Sequence, residues 1–139
     1  MIYIKELSKH IGPTVELKGW VANKRSSGKL AFIEMRDGSG YVQCIAELQT
    51  LGEEKFAIAK KLTLESSLSI TGTVVENERQ LGGVELQVSD LNVYQLTPDY
   101  PIAKKAHGVD FLMNNRHLWL RSRKQWAVMR VRNLSLIHI

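Results

Sequence analysis

The sequence predicts an all-β fold with short helices, closed as a small five-stranded Greek-key barrel. Three observations predict it. Five runs alternate in polarity with the period of two that a half-buried strand requires. Glycine-rich turn signals separate several of these runs, and one stretch with helical spacing falls between the third and the fourth. An SH3-like barrel is the nearest rival, and the inserted helix argues against it.

A short helix is predicted first, over about Tyr3 to His10 in "YIKELSKHIG", with Gly12 and Pro13 as punctuation. In "TVELKGWVANKR" Val15, Leu17 and Val21 share one face against Glu16, Lys18 and Trp20, and Gly19 suggests a bend or bulge in a curved sheet. The runs "LAFIEMRD" and "YVQCIAEL" are two further strands, joined by the Asp-Gly turn of "DGSG". In "GEEKFAIAKKL" the residues Phe56, Ala59 and Leu62 fall on one helical face. Glu53 and Glu54 in its first turn and Lys60 and Lys61 in its last suit the helix dipole. "SSLSITGTVVEN" and "VELQVSDLNVYQL" complete the strands across "RQLGG".

Three strands, a helix and two strands is the order of an OB-fold, whose middle strands offer an outer face to oligonucleotides. The prolines of "TPDYP" end this domain, taken as residues 1–97. Residues 98–115 read as a basic hinge, and a helix is expected from about Ser122, with Trp126 and Met129 spaced for one face.

Composition narrows the function classes. The single cysteine, Cys44, excludes a disulfide framework and reads as a small core residue. No apolar run approaches the roughly 20 residues of a membrane span, and no secretion signal opens the chain, so a soluble cytoplasmic protein is expected. The net charge of +5 is unevenly placed: residues 1–97 carry 11 Lys and Arg against 12 Asp and Glu, residues 98–139 carry 8 against 2. A barrel without a basic excess must bind nucleic acid through a few placed contacts and stacking, not through bulk phosphate attraction.

Such contacts are available on the outer face. Phe32 alternates outward from Ile33 and Met35 and offers a stacking plane. Gln43 can donate and accept on one amide, and Glu85, which alternates out from Val84, Leu86 and Val88, can only accept. Lys24, Arg25 and Lys29 lie in "NKRSSGK", read as a loop that could hold backbone phosphates. Exposed aromatics and basic turns are also ordinary surface features. His10, His107 and His117 lack metal-ligand spacing, and no phosphate loop, nucleophile–base pair or carboxylate pair stands out, so no catalytic residue is assigned.

The run "YPIAKKAHGVDFLMNNRHLWLRSRKQWAVMRVRN", with "HGVDFLM" and "NRHLWLRS", resembles the junction between anticodon-binding and catalytic domains in bacterial-type asparaginyl-tRNA synthetases. Upstream, "GWVANKRSSGKLAFIEMRDGSGYVQC" resembles the OB-fold of the class II aspartyl, asparaginyl and lysyl synthetases. The likeness covers residues 1–133 and implies that 116–133 begin a class II α+β catalytic domain. It also implies that Phe32 and Gln43 stack on and pair with the central anticodon uridine. Glu85 then lies near the first anticodon base, and Arg25 in the basic loop touches the anticodon arm.

The family makes asparaginyl-adenylate from asparagine and ATP with magnesium, transfers the amino acid to tRNA(Asn), and forms homodimers through its catalytic domain. None of its three catalytic motifs occurs in this chain, which is therefore expected to be inactive alone and to bind neither ATP nor Mg2+. Residues 134–139, "LSLIHI", depart from the family pattern. They can be encoded by CTG TCT CTT ATA CAC ATC, which reads like a transposase sequencing adapter, and are expected to be non-native. The rival readings are a free-standing OB module for tRNA or single strands, and the N-terminal part of an aspartyl-tRNA synthetase.

Overall fold

The computed structural model describes residues 2–139. The chain divides into two compact units, one ending at Asp99 and the other spanning Tyr100–Ile139. In the first, strands β1 (Thr14–Ser27), β2 (Leu30–Arg36), β3 (Tyr41–Glu47), β4 (Ser67–Glu76) and β5 (Val84–Gln95) close into a barrel in the order β1-β2-β3-β5-β4. Neighbours are antiparallel except β3 and β5, which run parallel. Helix α1 (Leu48–Lys61) supplies the crossover that a later strand needs to return beside β3. This is the five-stranded OB barrel expected from the order of runs.

The alternation read from the sequence fills the barrel. Leu17 and Val21 of β1, Ile33 and Met35 of β2, Cys44 of β3, Leu68, Ile70 and Val74 of β4 and Leu86 of β5 are all fully buried. Burial pushes the Cys44 thiol up to about 12, so at neutral pH it is a packed apolar group and not a nucleophile.

The opening helix is a 3-10 helix, Ile4–Lys9, tied down at its start by the β2–β3 turn. The Ile4 amide donates to Asp37 Oδ2 at 2.8 Å and the Lys5 amide to Ser39 Oγ at 3.2 Å, satisfying donors that a helix start leaves unpaired. Ile4 and Leu7 then enter the core.

Three local expectations are refined. Gly19 is not a bulge; the register shift in β1 lies between Val21 and Asn23. A Cβ on Gly19 would stand 2.2 Å from the Arg36 carbonyl oxygen, so the glycine lets two backbones approach closely. The expected loop "NKRSSGK" is strand as far as Ser27, and only Gly28 and Lys29 turn the chain into β2. Residues 22–27 are half-buried or exposed, which removes the apolar period that would have marked them as strand. Helix α1 begins at Leu48, before the expected start, and Gly52 at φ 80° breaks it into two pieces. The second carries Phe56 and Ala59 into the core, followed by Leu62.

In the second unit, the stretch expected as a hinge contains α2 (Val109–Asn114), which starts after an extended Gly108 and has Asp110 in its first turn. His107 stacks on Phe111 with centroids 4.5 Å apart, and its Nε2 accepts from the Ala103 amide. A 3-10 turn at Trp119–Arg121 leads to α3 (Arg123–His138), which begins after Ser122 and continues through "LSLIH". No residue of α3 is buried.

Candidate nucleic-acid interface

Strand registers assemble the outer face of the barrel into two adjacent rows. In one, Arg25 of β1, Phe32 of β2, Ile45 of β3 and Gln87 of β5 are successive partners. In the other, Asn23, Glu34, Gln43 and Glu85 follow in the same strand order. Three strand gaps make each row about 14 Å long. The platform thus brings together residues drawn from three separate stretches of sequence.

Phe32 is half-buried, not fully exposed, because the Arg25 guanidinium lies 4.7 Å from its ring centroid. Gln43 sits diagonally across from Phe32, and sheet geometry puts such neighbours about 7–8 Å apart. That spacing is within the span of one planar heterocycle laid on the ring. Among the described residues the Gln43 amide has no hydrogen-bond partner.

Glu85 is paired in register with Gln43 through the parallel contact of β3 and β5. Its Oε2 accepts a hydrogen bond from Asn77 Nδ2 at 2.8 Å, which fixes one carboxylate oxygen and leaves Oε1 to accept from outside the protein. Asn77 was not singled out from the sequence. The signal for it was modest: an asparagine at the start of a turn that ends in Gly82 and Gly83.

The remaining basic residues are placed differently. Lys24 has the opposite strand parity to Arg25, being the partner of Ile33, and its ammonium donates to the carbonyl of Lys60 at the end of α1. Partial burial holds its ammonium below the ordinary lysine value. The geometry gives Lys24 a helix-capping role, so it is not in the row with Phe32. Lys29 is exposed in the β1–β2 turn, and its carbonyl accepts from the Leu48 amide at 3.0 Å. Arg36, outward by parity, is covered instead: it pairs with Glu65 and stacks 5.3 Å from the Trp20 ring.

Among the described residues no three His, Cys, Asp or Glu side chains converge on a site that could hold a metal ion, and no helix is long and apolar enough to cross a membrane.

The chain as a whole is similar to known proteins. The chain is 52% identical over 129 residues to an asparagine-tRNA ligase of Roseiflexus castenholzii, an alignment covering 93% of this chain and 29% of that protein. Its structure is similar to asparaginyl-tRNA synthetase from Pyrococcus horikoshii complexed with asparaginyl-adenylate, with TM-score 0.87, 35% identity, and coverage of 98% of this chain and 32% of that one. The Entamoeba histolytica asparaginyl-tRNA synthetase complexed with asparaginyl-adenylate follows at TM-score 0.71 and 33% identity, covering 88% and 30% of the two chains. The chain thus spans under a third of the length of these relatives. A family model for the OB-fold nucleic acid binding domain of the tRNA anticodon type matches residues 15–94, which takes in the five strands but for Thr14 and Gln95, and the chain belongs to that family.

Proposed function

We propose that this chain is the anticodon-recognition part of an asparagine-tRNA ligase, the enzyme class that attaches asparagine to tRNA(Asn) using ATP. The observation that carries the reading is the pair of rows on β1, β2, β3 and β5, which sets a stacking ring, a free amide and a half-held carboxylate side by side. In this reading the central anticodon uridine stacks on Phe32 and meets Gln43 with its edge. Glu85 accepts from the first anticodon base, and Arg25 neutralises backbone phosphate. The similarity to asparagine-tRNA ligase sequences and structures supports it.

ATP and magnesium belong, in this proposal, to the catalytic chemistry of the parent enzyme. We assign recognition to these residues and no aminoacyl transfer. A homodimeric, cytoplasmic parent enzyme is the assignment consistent with the family.

The test is a titration of the 139-residue chain with the asparagine anticodon stem-loop and with a stem-loop altered only at the central base. A changed base can still stack but loses its edge partner, which lowers affinity by about 1–3 kcal/mol, the worth of a good base-edge contact, or roughly fivefold to 150-fold. Equal binding of the two stem-loops overturns the proposal. An assay with asparagine, ATP and tRNA(Asn) is expected to show no charging by this chain.

A further inference from the structure

Glu85 does not hold its own orientation. A glutamate on a strand samples several rotamers, and a carboxylate that must meet a base edge is effective only when those rotamers are restricted beforehand. The restriction comes from Asn77, whose Nδ2 donates to Glu85 Oε2 at 2.8 Å.

Asn77 is itself fixed at three points. Its backbone amide donates to the Gly83 carbonyl at 2.9 Å, its carbonyl accepts from the Gln80 amide at 3.0 Å, and its Oδ1 accepts from the Arg79 amide at 3.1 Å. The side-chain amide therefore spans from a closed turn to the carboxylate. Its Oδ1 serves the turn and its Nδ2 serves Glu85.

We propose that Asn77 is a positioning residue that sets discrimination at the base Glu85 faces, an inference that rests on the reading of Glu85 given above. With Oε2 held by a donor, Oε1 presents acceptor character to the platform at a fixed place beside Gln43. Guanine offers two N–H donors on its pairing edge, while adenine offers an acceptor at the equivalent ring nitrogen and is repelled by a carboxylate. A fixed carboxylate sharpens this difference, and a mobile one can swing away from adenine and tolerate it.

Two substitutions separate this role from a structural one. Asn77→Asp keeps the oxygen that accepts from Arg79, so the turn is retained, but replaces the donor to Glu85 with a like charge. Asn77→Ala removes the donor without adding charge. The measurement is the ratio of affinities of the 139-residue chain for stem-loops with guanine and with adenine at the first anticodon position, alongside Glu85→Ala and the Asn77→Ala/Glu85→Ala double variant.

Both Asn77 variants are expected to lower the guanine preference about threefold to tenfold, the scale of one hydrogen bond, and the double variant is expected to fall no further than Glu85→Ala. If Glu85→Ala lowers the preference and both Asn77 variants retain it, the positioning role is overturned while the reading of Glu85 stands. Equal weakening toward both stem-loops by the Asn77 variants also overturns it, since that is the signature of a purely structural residue. If Glu85→Ala itself leaves the preference intact, the reading of Glu85 fails, and the role of Asn77 with it.

Discussion

The guanidinium carbon of Arg25 stands 4.7 Å from the centroid of the Phe32 ring, and the two residues are direct partners across the β1–β2 pairing. The arginine thus covers the aromatic plane that a base would use. A cation–π contact at an exposed site contributes about 0.5–1 kcal/mol, against about 1–3 kcal/mol for a base stacked on an aromatic side chain. On these magnitudes a base would displace the guanidinium from the ring, and in the proposed reading the arginine then meets backbone phosphate.

Phe32→Ala is accordingly expected to weaken binding of the asparagine anticodon stem-loop by about 1–3 kcal/mol, roughly a fivefold to 150-fold change in Kd. Because Phe32 lies on the outer face and outside the buried core cluster, the thermal midpoint should change little. Fluorescence titration with a parallel melting curve checks both halves. Unchanged affinity in a folded variant removes Phe32 from the interface.

In the proposed reading Arg25 meets backbone phosphate, a role that salt dependence would reveal. The barrel region carries no basic excess, so the slope of log K against log salt should be shallow, and each phosphate partner should account for about 0.7 of it on single-stranded nucleic acid. Arg25→Ala is expected to flatten the slope by about that amount. Lys24→Ala should leave the slope unchanged and lower stability instead, since the Lys24 ammonium caps the end of α1. A slope altered by Lys24→Ala and untouched by Arg25→Ala would reverse the two roles.

These two lysine and arginine neighbours show where the sequence was legible and where it was not. The strands of the barrel could be read because their apolar residues alternate, and Phe32, Gln43 and Glu85 could be placed outward because each sits between buried neighbours of opposite parity. The segment around Arg25 could not, because residues 22–27 have no buried face and the register shift between Val21 and Asn23 resets parity just before them. Cross-strand partnership was equally hidden. Nothing local to Asn77 indicates that its amide reaches Glu85, and nothing local to Gln43 indicates that β5 runs parallel beside it. Such relationships depend on closure of the barrel, which periodicity alone does not encode.

Barrel closure makes its own prediction at Gly72. A Cβ there would lie 2.2 Å from the Gln87 carbonyl oxygen and 3.1 Å from Val88 Cα, all backbone atoms that cannot rotate away. The register of β4 against β5 also shifts between Thr71 and Gly72, so the close approach at Gly72 adjoins an irregularity in the ladder. Gly72→Ala is expected to cost about 1–3 kcal/mol or more, the range for forced overpacking, measured as a lowered urea midpoint. A variant as stable as the parent would mean that the strands can separate there without loss.

The ion pair of Arg36 and Glu65 should be sensitive for a different reason. Both side chains are nearly buried, at 11% and 12% exposure, and Arg36 is also stacked on Trp20. Removing one partner leaves a charge without compensation in a poorly solvated place, at a cost of about 3–5 kcal/mol. Glu65 also holds φ at 64°, a conformation that a non-glycine residue rarely adopts, and its backbone is bound on both sides by Val21 and Thr97. Glu65→Gly would relieve that strain while losing the carboxylate, so it is expected to be less destabilising than Glu65→Ala by about 1 kcal/mol. Equal urea midpoints for the two variants would show that the positive φ carries no strain.

Cys44 provides the pH-dependent prediction. Burial raises its thiol from 9.0 to about 12 in the folded state. Below pH 9.0 the thiol is neutral in both states and its contribution to stability is fully present. Between pH 9.0 and about 12 the unfolded chain releases a proton that the folded chain retains, so stability falls as pH rises through this window. The slope is about 1.4 kcal/mol per pH unit from this one group. Cys44→Ala removes the term while leaving every other titrating group in place. The difference in unfolding free energy between parent and variant should therefore shrink as pH rises above 9.0, and the native thiol should react with a disulfide reagent only as fast as the protein opens. A pH-independent difference, or rapid labelling of the folded protein, would mean that Cys44 is accessible to solvent and the barrel is open along β3.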